Sequence, residues 1–170
     1  MPDPAPVIVT ATLGDADFAR LDALRRAHFP PERNHLSAHL TLFHHLPPSL
    51  LPELDGRLRE AVRAAPPAAT LAAVMSLGRG VAYRIDSPAL AAVRADLADA
   101  FAGLLTPQDQ AGWRPHVTIQ NKVAPEAARA LQVALSADFR PAPLAIVGLA
   151  SHYYRGGPWE PIKAYRFRAG

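Results

Sequence analysis

Residues 7–13 are apolar and β-branched, interrupted only by Thr10 and Thr12, and this pattern predicts a short strand. Asp15 is placed to cap a helix running to about Phe29, with Phe18, Leu21, Leu24, Arg25 and His28 near helical spacing and Pro30-Pro31 ending it. Residues 38–45 alternate as a strand does. Pro47-Pro48 then opens a helix through Leu51, Leu54, Leu58 and Val62 to Ala65, stopped by Pro66-Pro67. Residues 70–77 and 81–86 read as two strands joined at Gly78-Arg79-Gly80. Ser87-Pro88 supplies an N-cap and a first-turn proline for a helix to about Leu105. A strand over 115–122, a helix over 125–136 and a strand over 144–153 follow. A closing strand over 162–168 comes after the turn-rich Arg155-Gly156-Gly157-Pro158.

The order of these elements repeats. From His39 the chain runs His-x-Thr-aliphatic, a proline, an amphipathic helix, a proline and an apolar strand, and from His116 it does so again. Residues 7–77 and 81–151 therefore form two strand–helix–strand–helix–strand units head to tail within one domain over 1–170, with 162–168 as an added strand. Side chains two apart on a strand share a face, about 7 Å apart. His39 and Thr41 thus share one face while Leu40 and Leu42 take the other; His116 and Thr118 share a face while Val117 and Ile119 point to the core. An approximate two-fold between the units would set the two imidazoles on opposite sides of one cleft.

That arrangement suits phosphodiester transfer. A pentavalent phosphorus needs a base on the attacking oxygen and an acid on the leaving oxygen, and histidine serves as either near neutral pH. Threonine hydroxyls can donate to the non-bridging oxygens without competing for the proton. With seven histidines in 170 residues, chance gives about 0.25 His-x-Thr matches, so one would be weak evidence and two at equivalent places are not.

Composition adds limits. Hydrophobic residues make up 49% and charged residues 19%, the balance of an ordered domain, and the absence of cysteine removes disulfides and thiolate zinc sites. The net charge of +3 and a pI of about 9.7 come from dispersed arginines; they are compatible with a polyanion without arguing for one. No secretory signal or bilayer-length apolar run is evident, so a cytoplasmic protein is expected. His35, His39, His44 and His45 suggest a metal at first sight. Their strand context and the lack of a nearby acid argue against one.

His39-Leu40-Thr41-Leu42 and His116-Val117-Thr118-Ile119 resemble the paired signatures of the 2H phosphoesterase superfamily, of the bacterial 2′-5′ RNA ligase and cyclic phosphodiesterase kind. The resemblance spans nearly the whole chain. It implies an α+β, two-lobed, pseudo-two-fold fold with antiparallel sheets lining a central cleft and helices outside. It also implies hydrolysis of RNA 2′,3′-cyclic phosphates to 2′-phosphates and reversible, ATP-independent 2′-5′ joining. His39 and His116 would be catalytic and Thr41 and Thr118 would bind phosphate, with no metal or nucleotide cofactor. RNA ends or small cyclic-phosphate nucleotides would be the partners of a monomer. Relatives often carry a basic residue close behind the second motif; here Gln120 and Asn121 precede Lys122, and strand parity puts Gln120 and Lys122 on the His116 face. Further candidates for substrate contact are Phe43 on the His39 face, Arg84, and Trp113 and Tyr153 (within His152-Tyr153-Tyr154-Arg155) at the cleft rim. The alternatives are a phosphodiesterase of small cyclic nucleotides or 2′-5′ oligonucleotides, and a nucleotide-binding module without turnover.

Overall fold

The structure, a computed structural model, describes residues 5–168. Its elements in chain order are β1 (Val7–Leu13), α1 (Asp15–His28), β2 (Leu40–Leu46), α2 (Leu51–Ala61), β3 (Ala69–Ser76), β4 (Val81–Asp86), α3 (Pro88–Ala100), α4 (Pro107–Gln110), β5 (His116–Gln120), α5 (Pro125–Ala137), β6 (Ala142–Leu144), β7 (Ile146–Tyr153) and β8 (Glu160–Arg166). The strands form an 8-stranded sheet in the order β6-β3-β4-β5-β2-β1-β7-β8. Every neighbouring pair is antiparallel.

The sheet has two halves joined at its middle by one ladder pair, Leu40↔Val117. The halves do not coincide with the two repeat units. β3, which ends the first unit, pairs with β4 of the second, and β7, which ends the second, pairs with β1 of the first. The hairpin at Gly78-Arg79-Gly80 enforces the first exchange: Gly78 has φ +80, and Leu77 donates its N–H to the Gly80 carbonyl at 2.9 Å. Gly80 has to be glycine, because a Cβ there would run into the Gln120 carbonyl.

The expected 144–153 strand is divided in two. β6 pairs with β3 in one half, β7 pairs with β1 in the other, and the chain crosses at Ala145. Asp17 accepts the Ala145 N–H at 2.8 Å, and Gly14 donates to its carbonyl at 2.9 Å. Gly14 rather than Asp15 occupies the N-cap of α1, and a Cβ there would meet Ala145 Cβ at 2.8 Å. Ser87 caps α3 as expected, accepting from Leu90 N at 3.2 Å and donating to the Ala68 carbonyl at 2.7 Å. That helix stops at Ala100 instead of Leu105, since Gly103 turns left-handed at φ +85 and Thr106 caps the separate α4. The 47–65 helix likewise begins with a 3-10 turn at Pro48–Leu50 before regular α2.

Leu40, Leu42, Phe43, Leu46, Val117 and Ile119 are fully buried from the central strands, and Leu21, Leu54, Leu58, Leu90 and Leu97 meet the same core from the helices. This packing gives the two motifs a fixed apolar backing. β2 is not regular along its length. Val9 pairs with Phe43 but Val7 pairs with Leu46, so β2 carries extra residues relative to β1 and bulges between them.

Candidate active site

The sole pair joining β2 to β5 organises the site. Leu40 and Val117 are fully buried, so on the opposite face His39 and Thr41 flank one and His116 and Thr118 the other. Continuing that antiparallel register by one residue each way sets His39 across from Thr118 and Thr41 across from His116. The two motifs are thus related by a local two-fold through Leu40 and Val117. All four side chains line one cavity of about 280 Å³.

The two imidazoles are anchored identically. His39 Nδ1 lies 2.7 Å from the Ser37 carbonyl, and His116 Nδ1 lies 2.7 Å from the Arg114 carbonyl, in each case two residues back. A carbonyl only accepts, so Nδ1 carries the hydrogen and the neutral ring keeps its lone pair on Nε2. Burial lowers the His39 pKa from 6.5 to about 4; the Ser37 hydrogen bond opposes the shift, while the charges of Arg25, His116 and His44 add to it. The ring edge of His39 meets Trp159 at a centroid distance of 4.7 Å, and Trp159 in turn lies 5.5 Å from His152.

Two buried arginines brace the motifs from the opposite units. Arg25 of α1 donates to the Thr118 carbonyl at 3.2 Å and to Asn34 at 2.8 Å, with its guanidinium 4.3 Å over the Phe29 ring. Arg94 of α3 donates to the Leu42 carbonyl at 3.1 Å and the Asp109 carbonyl at 2.6 Å, 4.3 Å over the Phe43 ring. Burial lowers the pKa of both. The sequence reading missed these roles, although a signal existed: Leu90, Arg94 and Leu97 form the buried stripe of α3, and Leu21 and Arg25 that of α1. A cation on an apolar helix face needs partners, and here the partners are motif carbonyls.

Of the other candidates, Trp113 lines the cavity and donates Nε1–H to the Thr41 carbonyl at 3.0 Å. Phe43 does not: the β2 bulge breaks the parity that put it on the His39 face, and it lies in the core beneath Arg94. Lys122 does not share the His116 face either, because β5 ends at Gln120 and Lys122 takes a left-handed turn at φ 64. Gln120 is buried, its Oε1 without a partner, and it lies outside the lining of this cavity. Arg84 is the ladder partner of His116, yet it is exposed and paired with Asp86 at 3.4 Å rather than lining the cavity. Tyr153 also falls outside; Arg155 covers its ring at 4.8 Å.

The structure adds residues the sequence reading had not assigned, and it brings in His152 from the run expected at the cleft rim. Trp159 separates the first cavity from a second of about 520 Å³, which is bounded by His39, His152, Thr10, Phe18 and Leu36 and has no lysine or arginine in its lining. Thr10 Oγ1 and His152 Nε2 are 3.1 Å apart, and burial lowers the His152 pKa. His44 also lines the first cavity, with Nδ1 3.2 Å from the buried carboxylate of Asp109. Among the described residues, no group of three or more His, Asp or Glu side chains converges to hold a metal ion. No helix among them is long and apolar enough to cross a membrane.

Comparison with known proteins bears on the family and the fold of the chain. The family model of the 2′-5′ RNA ligase superfamily matches residues 13–158. TT0787 of Thermus thermophilus is similar in structure, with a TM-score of 0.66 at 17% identity over 96% of this chain and 98% of that one. E. coli LigT complexed with NADP+ has a TM-score of 0.64 at 17% identity over 97% of this chain and 99% of that one. The same protein complexed with 3′-AMP has a TM-score of 0.64 at 16% identity over 98% and 100%. At such identities the likeness is one of fold: an antiparallel, curled 8-stranded sheet with helices. No curated protein matches the sequence.

Proposed function

The chain belongs to the 2′-5′ RNA ligase superfamily and is by that membership a phosphoesterase; we propose that it opens 2′,3′-cyclic phosphates at RNA ends, leaving 2′-phosphates. In this reading the same site also joins such ends reversibly through 2′-5′ bonds without ATP. One observation carries the reading: two identically anchored imidazoles, each with Nε2 free, share one cavity with two threonines across a local two-fold.

His39 is the base. Burial holds it neutral near pH 7, so its Nε2 can accept the proton of the attacking water. The water oxygen bonds to phosphorus as the bond from phosphorus to O3′ breaks; His116, which enters this step with a proton on Nε2 as well as on Nδ1, delivers the Nε2 proton to O3′ and is left neutral. Thr41 and Thr118 donate to the non-bridging oxygens, where charge develops. The second cavity, mostly apolar and free of cations, suits the uncharged nucleoside beside His39.

Adenosine 2′,3′-cyclic phosphate is the direct test. Its hydrolysis is expected to persist in EDTA, and His39→Ala or His116→Ala should each reduce turnover by about 10²–10⁴-fold. Loss of activity on chelation, or a mild effect of both substitutions, would overturn this mechanism.

A further inference from the structure

His44 and Asp109 have no part in the mechanism above, yet they are built into the same cavity. Asp109 is 1% exposed. Its carboxylate accepts the backbone N–H of His44 at 2.9 and 3.1 Å, that of His45 at 2.9 Å, and His44 Nδ1 at 3.2 Å. Burial acts to raise the Asp109 pKa, but these hydrogen bonds outweigh it and keep the group below its ordinary value, hence ionised. The carboxylate fixes the orientation of the ring. With Nδ1 turned to Asp109, the Nε2 edge is left free on a side chain that is 41% exposed and lines the cavity.

Two further donors, Arg114 and Gln108, line that cavity as well, and both are exposed. Asp109 is the one acidic residue in the lining, and its oxygens are already covered. The neighbouring cavity offers the opposite character, with Asp15 in its lining and no lysine or arginine. An anionic extension of the substrate is therefore favoured on the His44 side and disfavoured on the Trp159 side. His44 lies three residues beyond Thr41, which places it within about 10 Å along the strand, a reach that suits the next phosphate of a nucleotide chain. Lys122, which strand parity would have brought to the cleft, sits in a left-handed turn and is not in its lining.

We propose that His44, Arg114 and Gln108 form a second phosphate subsite, which takes the 5′-phosphate of the nucleotide whose cyclic phosphate is opened. In its charged form His44 donates from Nε2 to that phosphate while Asp109 holds the counter-charge behind the ring. Asp109 is then a positioning residue rather than a catalytic one. The subsite rests on the phosphodiesterase reading of the cleft, and it deepens that reading. The preferred substrate is a nucleotide carrying a phosphate on its 5′ side, as every RNA end longer than one nucleotide does, rather than a bare nucleoside cyclic phosphate.

The test uses ligands that need no turnover. Adenosine 2′-monophosphate and adenosine 2′,5′-bisphosphate are titrated calorimetrically into the full chain, and the bisphosphate is expected to bind about tenfold more tightly, as a charge-assisted contact would give. His44→Gln and Arg114→Gln should each bring that ratio towards one. Arg129→Gln, an exposed cation of α5 outside both cavities, should leave the ratio unchanged. Equal affinity for the two ligands in the unsubstituted protein would overturn the subsite. So would variants that weaken both ligands alike, because a merely structural role predicts that pattern. Parallel assays with adenosine 2′,3′-cyclic phosphate separate the two ideas. A retained bisphosphate preference without turnover counts against the phosphodiesterase reading alone, whereas turnover without the preference counts against the subsite alone.

Discussion

At the scale of the residue, the environment of His39 underlies the proposed division of labour between two chemically identical side chains. Both rings are tied by Nδ1 to a carbonyl two residues back, but Trp159 packs on His39, and burial brings its pKa down to about 4. Trp159→Ala opens the ring to water and should move its pKa back towards 6.5. The acidic limb of the kcat/KM profile then shifts to higher pH, and an unmoved limb would refute the role given to Trp159. Thr41→Val and Thr118→Val should cost less than loss of either imidazole and weaken phosphate affinity, which product-inhibition constants would measure. Much of this site was legible in the sequence, because β2 keeps a regular register with β1 at Leu40 and Thr41 and strand parity holds there. Parity failed at Phe43, where β2 bulges, and at Lys122, where β5 has already ended. Trp159 was out of reach, since it enters from a turn-rich segment whose path only the sheet determines.

At the scale of the element, α1 and α3 act as crossed struts, each sending an arginine to a carbonyl of the other unit's motif strand. Arg94→Met keeps the length of the side chain but leaves the Leu42 and Asp109 carbonyls without their donor. We expect a destabilisation on the order of 3 kcal/mol in urea unfolding, from the loss of charged hydrogen bonds at a buried site. A change smaller than about 1 kcal/mol would mean that water replaces the guanidinium. Ser87→Ala removes the α3 cap and should cost about 1 kcal/mol, with more added by the lost bond to Ala68. Most helix starts were readable from prolines and caps. Ends were harder to read: α3 stops at a left-handed Gly103, and α4, which carries Asp109 to His44, is too short to leave a periodic signal.

At the scale of the whole molecule, the repeat in the sequence and the division in space differ, because each unit lends its last strand to the other half of the sheet. The sequence pattern suggested the units but gave no sign of the exchange, which follows from a tight hairpin at one end and the crossing at Ala145 at the other. The cleft lies where the halves are joined by a single ladder pair, and unfolding the sheet exposes the histidines beside it to water. This couples stability to the protonation of half-buried histidines. His39 and His152 are held below their ordinary values in the fold and return to about 6.5 when the chain unfolds. Below that pH the unfolded chain takes up protons that the folded chain refuses. Stability should therefore be complete above about pH 6.5 and decline as the pH falls towards 4. Carboxyls held low, such as Asp109, add a decline of the same sign only at more acidic pH, below their unfolded value of 3.8. Urea midpoints between pH 7.5 and 5 isolate the histidine part, and His39→Ala should flatten the slope across that window. An equally steep slope in the variant would show that His39 is as free to protonate in the fold as in the unfolded chain, and it would remove the basis for assigning it as the base.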